Sequence, residues 1–172
     1  MSTSTAPGQM TAEEIVALSR EHTFFSWSVQ GAIDPIAIDR AEGIYLYTPD
    51  GRRIIDFNSQ LMSVNIGHGD RRVIDAITEQ ALKLQYVQPA FATEPRARLG
   101  AKLAEIMPGD LDKVFFTLGG AEAIENAIKL ARHYTGRHKV LARYRAYHGA
   151  TLGAMTLTGD PRRWANEPGI WG

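Results

Sequence analysis

Cysteine is absent from the 172-residue sequence, and this absence removes several kinds of chemistry. Without thiols the chain forms no disulfide, offers no thiolate to a metal and has no cysteine nucleophile. The five histidines form no HExxH motif or comparable pair of metal ligands. The composition therefore predicts no metal site and is compatible with a reducing cytoplasm.

A net charge of one sign and long apolar runs are also missing. Nineteen basic side chains balance nineteen acidic ones, so there is no overall electrostatic attraction to nucleic acid or to an anionic membrane. The sequence contains neither a run of about 18 apolar residues nor the basic and apolar parts of a signal peptide. We therefore expect a cytoplasmic protein that binds neither nucleic acid nor membranes.

Two common nucleotide-binding motifs, GxxxxGK[ST] and GxGxxG, do not occur either. What the sequence does contain is FFTLGGAEAIENAIKLAR, residues 115–132, in which a strand-like run passes into an amphipathic helix through Gly119 and Gly120. Unpaired amides and the helix dipole at such a start favour a phosphate, and glycine lets the anion approach closely. The alternative is that the two glycines only turn the chain.

Local patterns before this motif predict helices and a small sheet. Thr11 and Glu14 have capping-box spacing, which predicts a helix to about residue 20. Three strand-like stretches (residues 35–43, 44–51 and 52–59), with a Pro49-Asp50-Gly51 turn, predict an antiparallel sheet. Helices are predicted after Asp70 and Thr93. Their expected inward residues are Val73, Ile77, Ala81 and Leu84 in one, and Leu99, Leu103 and Ile106 in the other.

From residue 113 the pattern becomes strand, helix, strand. Residues 113–117 (KVFFT) and 139–143 (KVLAR) flank a helix predicted from Ala121 to Thr135. This pattern predicts a right-handed crossover whose two strands lie side by side in a mostly parallel sheet covered by helices. A third helix is predicted near Gly149, and residues 159–172 are expected to form a loop.

The predicted division of the chain has three parts. Residues 1–10 form a disordered tail, residues 11–69 contain a helix and the small antiparallel sheet, and residues 70–172 begin a larger α/β domain. Two parallel strands make no stable sheet. Either the 172 residues are a piece of a longer polypeptide, or the strand–helix–strand interpretation is wrong.

A second motif, YRAYHGAT at residues 144–151, follows the second predicted strand. Because the carboxyl ends of parallel strands meet at one edge of a sheet, Tyr147 and His148 are expected near Gly119 and Gly120. A flat ring beside a phosphate cradle suits a flat ligand, since offset stacking contributes about 0.5–1.5 kcal/mol beyond burial. Taken alone, Tyr147 would be a core or rim tyrosine; with the glycines it indicates a phosphorylated cofactor other than a dinucleotide.

These blocks together resemble the class III aminotransferases, which are pyridoxal-phosphate (PLP) enzymes of fold type I. LDKVFFTLGGAEAIENAIKLAR resembles the family's F-x-N-S-G-x-E-A-x-E-x-A-I-K-L-A-R block, and YRAYHGAT its Y-H-G block. DFNSQLMSVNIGHG resembles the segment before the first large-domain helix, and IYLYTPDGRRIIDF the antiparallel hairpin. The resemblance implies an α/β fold in which a small antiparallel sheet precedes the start of a mostly parallel, helix-flanked large-domain sheet.

The resemblance also implies roles for individual residues. The cofactor-binding positions are Gly119, Gly120 and Ala121 at the phosphate, Tyr147 stacked on the pyridine ring, and His148 beside it. The substrate-pocket positions are Leu61, Met62, Trp27 at the pocket mouth, and Phe91, which would approach within the chain or across a dimer interface. An alternative for the aromatic stretch around Trp27 is packing against a neighbouring segment.

Some positions depart from the family pattern. Gly119 and Ala121 stand where hydroxyl residues are usual, and Ile124 where asparagine is usual, so the phosphate would depend on backbone amides and a hydroxyl from a partner subunit. Glu122 matches, and we interpret its carboxylate as a support of the helix start. The lysine that bonds to the cofactor, with the family's aspartate and arginine, is expected beyond residue 172. The sequence thus supplies no catalytic residue, and the 172-residue chain by itself is expected to be inactive as an enzyme.

For the complete protein the resemblance implies a homodimeric aminotransferase. It would move an amino group from an ω-amine or amino acid donor, with taurine-like donors among the candidates, to a keto acid such as pyruvate. One alternative is a PLP aminomutase or decarboxylase of the same fold. The other is a non-catalytic α/β module that binds a phosphorylated metabolite.

Overall fold

The structure is a computed structural model that describes residues 10–169. The chain has two compact units, Met1–Gln88 and Pro89–Gly172. The boundary between these units lies later in the chain than the boundary between residues 69 and 70 that the sequence predicts. The predicted division into an N-terminal segment and a larger α/β domain stays a prediction. Apart from Met10, the predicted disordered tail lies outside the described residues.

The first unit begins with helix α1, Ala12–His22. The Thr11 hydroxyl accepts a hydrogen bond from the Glu14 amide at 3.2 Å, and the Glu14 carboxylate accepts one from the Thr11 amide at 2.8 Å. This reciprocal pair satisfies two amides that a helix start leaves without partners. The predicted capping box is confirmed, and the helix continues slightly past its expected end.

Three short strands follow: β1 (Arg40–Glu42), β2 (Tyr45–Tyr47) and β3 (Arg53–Ile55). They form an antiparallel sheet in the order β1-β2-β3, which confirms the predicted small sheet. Gly51, with φ +84°, donates its amide to the Thr48 carbonyl at 2.9 Å and closes the predicted turn between β2 and β3.

The loop between the sheet and the next long helix contains a left-handed turn. This turn, α2, spans Ser59–Met62, and helix α3 follows at Arg71–Lys83. The Asp70 carboxylate caps α3 by accepting from the Arg72 amide at 2.9 Å, as predicted. Just before α3, His68 and Gly43 exchange backbone hydrogen bonds of 2.9 and 2.7 Å, which ties this loop to the β1–β2 connection.

The second unit contains helices α4 (Glu94–Ile106), α5 (Gly120–Thr135) and α6 (Leu152–Leu157), and a 3-10 helix at Pro161–Gly169. Gly136, in the left-handed conformation at φ +66°, ends α5 as predicted. The predicted loop at residues 159–172 is wrong over 161–169. Asp160 accepts from the Arg162 amide at 3.0 Å, and Pro161 has the preset φ of a first helical position. Residues 170–172 lie outside the described residues.

The two segments predicted as parallel strands, residues 113–117 and 139–143, form no ladder among residues 10–169. The three-stranded sheet is the one sheet in this part of the chain, so the predicted pairing of the two segments is wrong here. A strand exists only through backbone hydrogen bonds to a neighbour, and neither segment supplies them to the other. Apolar side chains in and beside these segments are strongly exposed, including Phe115 (71%), Leu118 (102%) and Leu141 (99%).

The apolar stripes of α3 and α4 are also largely uncovered in the described structure. Ile77 is 63% exposed and Leu99 50%, and of the seven residues expected to face inward only Leu103 is half-buried. The helix starts were predictable from caps, whereas burial requires a second element over the stripe. The buried apolar residues of the described chain are few: Ala37, Ile128, Ala154 and Met155. None of the described helices is long and apolar enough to cross a bilayer.

Candidate functional site

The start of α5 is open. Gly119 is the N-cap residue in an extended conformation, and no side chain of the described residues caps the helix. A Cβ atom added at Gly119 or Gly120 would have no atom of the described structure within 4 Å apart from the adjacent residues and the backbone of α5 itself. A helix start with uncapped amides and free space in front of it has the properties of an anion site.

Glu122 supports this helix start from the side. Its carboxylate accepts a hydrogen bond from the Leu118 amide at 2.9 Å, across the turn that leads into α5. The Thr117 hydroxyl donates to the Gly119 carbonyl at 3.1 Å and fixes the same turn. The interpretation of Glu122 as a hydrogen-bonded support of the helix start is thus confirmed.

Gly149 brings the YHG segment against α5. It is buried, and its φ of +140° is a value that favours glycine. A Cβ atom at this position would lie 2.6 Å from Ala121 Cβ and 2.8 Å from Ala121 Cα. The structure therefore brings the segment that carries Tyr147 and His148 to the first turn of α5, although the preceding segments do not pair as strands.

The Tyr147 ring is 43% exposed and carries a cation over its face. The Arg162 guanidinium carbon lies 4.0 Å from the ring centroid, a cation–π distance. The Asp160 carboxylate holds that guanidinium, with Arg162 Nε 3.0 Å from both of its oxygens and Nη2 bonded to Oδ2. The hydrogen bonds from Arg162 lower the pKa of Asp160, and the same carboxylate raises the pKa of Arg162.

Backbone hydrogen bonds fix the segment on which Tyr147 stands. The Arg145 amide donates to the Gly159 carbonyl, and the Gly159 amide to the Ala146 carbonyl, both at 2.8 Å. One residue further, the His148 amide donates to the hydroxyl of the buried Thr158 at 3.2 Å. His148 itself is half-buried.

Glu125 connects α5 to α6. Its Oε1 accepts from the Thr151 hydroxyl at 2.6 Å and from the amides of Gly153 at 2.7 Å and Ala154 at 3.1 Å. The Thr151 hydrogen bond is the main cause of a lowered pKa of Glu125; desolvation opposes it, and the two amides reinforce it. One carboxylate thereby holds the helix that follows the YHG segment in place on α5.

Two predicted substrate residues, Leu61 and Met62, lie in the left-handed turn α2. All four residues of Ser59–Met62 have φ between 48° and 60°, and the Met62 amide donates to the Asn58 carbonyl at 2.9 Å. Left-handed helical geometry costs about 1–2 kcal/mol per residue other than glycine, so surrounding contacts must maintain it. Leu61 and Met62 are 75% and 71% exposed in the described structure.

Trp27 lies in the loop after α1 and also has a positive φ, +54°. The Gln30 side chain closes this loop: its Oε1 accepts from the Phe25 amide at 2.9 Å, and its Nε2 donates to the Phe25 carbonyl at 2.7 Å. Phe91 is 58% exposed and belongs to the second unit, as do the candidate cofactor residues, whereas Trp27, Leu61 and Met62 belong to the first.

The model of the family described as Aminotransferase class-III matches residues 28–168. The chain belongs to the class-III aminotransferase family. This match confirms the resemblance described above. Members of the family depend on PLP, so the expected cofactor is confirmed as well.

Among its relatives is an uncharacterized aminotransferase of Bacillus subtilis, YhxA, with 37% identity over 171 residues, 94% of this chain and 38% of the relative. Isoleucine 2-epimerase of Lentilactobacillus buchneri is 37% identical over 145 residues, 83% of this chain and 32% of the relative. A solved taurine:2-oxoglutarate aminotransferase from Bifidobacterium kashiwanohense, in complex with PLP and glutamate, superimposes with a TM-score of 0.89 and 43% identity. The match covers 95% of this chain and 37% of that one.

The chain thus spans less than two fifths of the length of these relatives. Over that span it has the fold of the corresponding part of a PLP-dependent transaminase, including the small antiparallel sheet. Among residues 10–169, no group of histidine, aspartate and glutamate side chains is arranged to hold a metal ion.

Sequence reasoning missed three supporting residues of this site: Glu125, Asp160 and Arg162. Glu125 had a usable signal, because helical spacing places it on one stripe with Ala121 and the buried Ile128, where a carboxylate needs partners. Asp160 also had one, since aspartate before proline often starts a helix. Arg162 had none, because its position over Tyr147 depends on the tertiary fold.

Proposed function

We propose that the whole protein is a PLP-dependent aminotransferase that moves an amino group from an ω-amine or amino acid donor to a keto acid. The observation that carries this proposal is the open start of α5 with the YHG segment packed against it, in a chain of the class-III aminotransferase family. We place the lysine that bonds to the cofactor, and the family's aspartate and arginine, outside the 172 residues.

The residues around α5 fit the cofactor. Backbone amides of Gly119, Gly120 and Ala121 would hold the phosphate, for which the helix start leaves space and amides. Tyr147 would lie against the pyridine ring, with His148 beside it. When bound, PLP supplies an electron sink for the substrate carbon that bears the amino group. The role of this chain is to bind the phosphate and to fix the plane of the ring.

We assign substrate-contacting roles to Leu61, Met62 and Trp27 in the first unit and, separately, to Phe91 in the second. Three of these residues have a left-handed backbone, a feature that concentrates at functional sites. The similarity to a taurine:2-oxoglutarate aminotransferase supports a taurine-like donor and makes 2-oxoglutarate an acceptor to compare with pyruvate.

The assembly and the complete sheet are further parts of this proposal. Glycine and alanine at positions 119 and 121 provide no hydroxyl for the phosphate, which supports a homodimer whose partner subunit supplies one. The unpaired segments 113–117 and 139–143, with their exposed apolar side chains, support a mostly parallel sheet completed by strands outside this chain. The absence of cysteine agrees with a cytoplasmic location.

The test is an assay of the whole protein loaded with PLP. Taurine or another ω-amine is supplied with pyruvate or 2-oxoglutarate, and alanine or glutamate is measured as the product. Formation of the expected amino acid supports the aminotransferase. Release of carbon dioxide, or an amino shift within one molecule, would instead identify a decarboxylase or an aminomutase, and ligand binding without turnover would identify a binding module. The similarity to an isoleucine 2-epimerase supports testing for outcomes other than amino transfer, because that relative is named for a different reaction.

A further inference from the structure

Asp56 is a nearly buried carboxylate with no role in the proposed cofactor site. Its side chain is 3% exposed and that of His68 is 14% exposed, and Asp56 Oδ2 lies 2.7 Å from His68 Nε2. The other oxygen, Oδ1, accepts from the Gln60 amide at 3.1 Å. Burial raises the pKa of Asp56, but the hydrogen bonds from His68 and Gln60 outweigh it and leave the pKa below its usual value. A buried carboxylate with both oxygens bonded is held in one orientation.

His68 is fixed from the opposite side by the sheet. Its amide donates to the Gly43 carbonyl at 2.7 Å, and its carbonyl accepts from the Gly43 amide at 2.9 Å. The neighbouring Gly67 has φ +88°, and a Cβ there would lie 3.1 Å from the Gly43 oxygen, so the loop packs closely on the β1–β2 connection. The imidazole therefore extends from a rigid base.

A continuous path of contacts leads from this base to α2. It runs from the sheet through His68 to the Asp56 carboxylate, and from that carboxylate to the amide of Gln60, the second residue of the left-handed turn. Leu61 and Met62 follow at once, and their side chains remain mostly exposed. Burial of these two side chains in the described structure therefore does not maintain the turn, whereas the path from the sheet reaches its backbone directly.

We propose that Asp56 and His68 are positioning residues that lock α2 in its left-handed form and so set where Leu61 and Met62 meet the substrate. This inference rests on the proposed function for the pocket assigned to those two residues. Without the lock, the backbone of Ser59–Met62 relaxes toward right-handed or extended conformations, and Leu61 and Met62 leave their positions. Binding of the donor then weakens, while the second unit, which carries the phosphate site, is unaffected.

The experiment compares four forms of the whole protein: wild type, His68→Leu, His68→Gln and His22→Leu. Glutamine keeps an N–H that can reach Asp56, leucine does not, and His22 is a mostly exposed histidine in α1 that serves as the matched control. The measurements are KM and kcat for the donor, PLP affinity, and hydrogen exchange of the amides of residues 60–64. These include the Gln60 amide bonded to Asp56 and the Met62 amide bonded to Asn58.

We expect His68→Leu to raise the donor KM about tenfold, with kcat and PLP affinity within about twofold of wild type. Hydrogen exchange of the α2 amides should accelerate in the same variant. His68→Gln should restore the wild-type donor KM and the wild-type exchange rate, and His22→Leu should change neither the KM nor the exchange rate. Unchanged KM and exchange in His68→Leu would overturn the lock, as would equal effects of leucine and glutamine. If the wild-type protein had no aminotransferase activity, the proposed function would be wrong, and so would the statement that α2 sets where Leu61 and Met62 meet the substrate. The hydrogen-exchange comparison would still decide whether Asp56 and His68 hold α2 in its left-handed form.

Discussion

Single glycines in the second unit have two different tasks. Gly149 occupies a place beside Ala121 where only a hydrogen atom fits. Gly119 and Gly120 have no neighbour within 4 Å in the corresponding direction, so their small size is not required by packing in the described structure. The first glycine is needed for the fold, and the other two matter if a ligand occupies the open space.

This difference makes Gly120→Val a selective probe of the phosphate site. A Cβ atom at this position meets no described atom outside the adjacent residues and the backbone of α5, and the valine methyl groups would compete with a phosphate held by the first amides of the helix. We therefore expect PLP affinity of the whole protein to fall at least about tenfold, or about 1.4 kcal/mol. Tyr147→Ala should weaken PLP binding about two- to tenfold, in line with a stacking contribution of about 0.5–1.5 kcal/mol.

Both affinities are measured by titration of the apoprotein with PLP. Gly100→Val is the matched control, because Gly100 lies in α4 with equally open surroundings and has no place in the proposed site. Wild-type affinity in both Gly120→Val and Tyr147→Ala would show that the cofactor binds elsewhere.

At the scale of elements, caps and turns decided which features could be predicted. The starts of α1 and α3 and the end of α5 follow from residues within one turn of each boundary, so the sequence was sufficient. The left-handed form of α2 was not predictable, because serine, glutamine, leucine and methionine have no preference for positive φ. Its conformation depends on Asp56 and His68, and that contact is tertiary.

The junction of α5 and α6 gives a prediction about acid stability. The pKa of Glu125 is lowered in the folded protein, chiefly by the Thr151 hydroxyl, from its ordinary value of 4.5. A carboxyl group with a lowered folded pKa contributes stability that is complete above the unfolded pKa and is lost as the pH falls through the folded value. The midpoint of thermal unfolding should therefore fall as the pH decreases below about 4.5.

We expect Glu125→Gln to reduce this acid dependence and Glu125→Ala to lower stability at pH 7 by about 1–3 kcal/mol, because the amides of Gly153 and Ala154 lose their acceptor. Calorimetry between about pH 3 and pH 7 measures both effects, because this range spans the ordinary pKa of a glutamate side chain. Glu105→Gln is the control, since its carboxylate is exposed and pairs only with Lys102 at the surface among the described residues. An acid dependence that is the same in Glu125→Gln and wild type would contradict this account.

For the molecule as a whole, the exposed apolar surface is the feature that local patterns could not anticipate. The sequence correctly predicted helices with apolar stripes on α3 and α4, but the described structure leaves Ile77 and Leu99 at least half exposed. Periodicity shows which face of a helix is apolar and does not show which segment covers it. The pairing predicted for residues 113–117 and 139–143 was wrong for a related reason, since a strand-like apolar run does not show which segment lies beside it.

Hydrogen exchange can test whether these segments are strands of a larger sheet in the whole protein. Amides of residues 113–117 and 139–143 are expected to exchange at least about ten times more slowly in the whole protein than in the 172-residue chain, because ladder hydrogen bonds to further strands protect them. The amides of β1, β2 and β3 that bond across the sheet are the internal control, since their partners lie within this chain and protection should be similar in both forms. Rapid exchange of 113–117 and 139–143 in the whole protein, with the control strands protected, would mean that these segments are not strands. The proposed mostly parallel sheet would then have to be abandoned, although the small antiparallel sheet and the open start of α5 would stand.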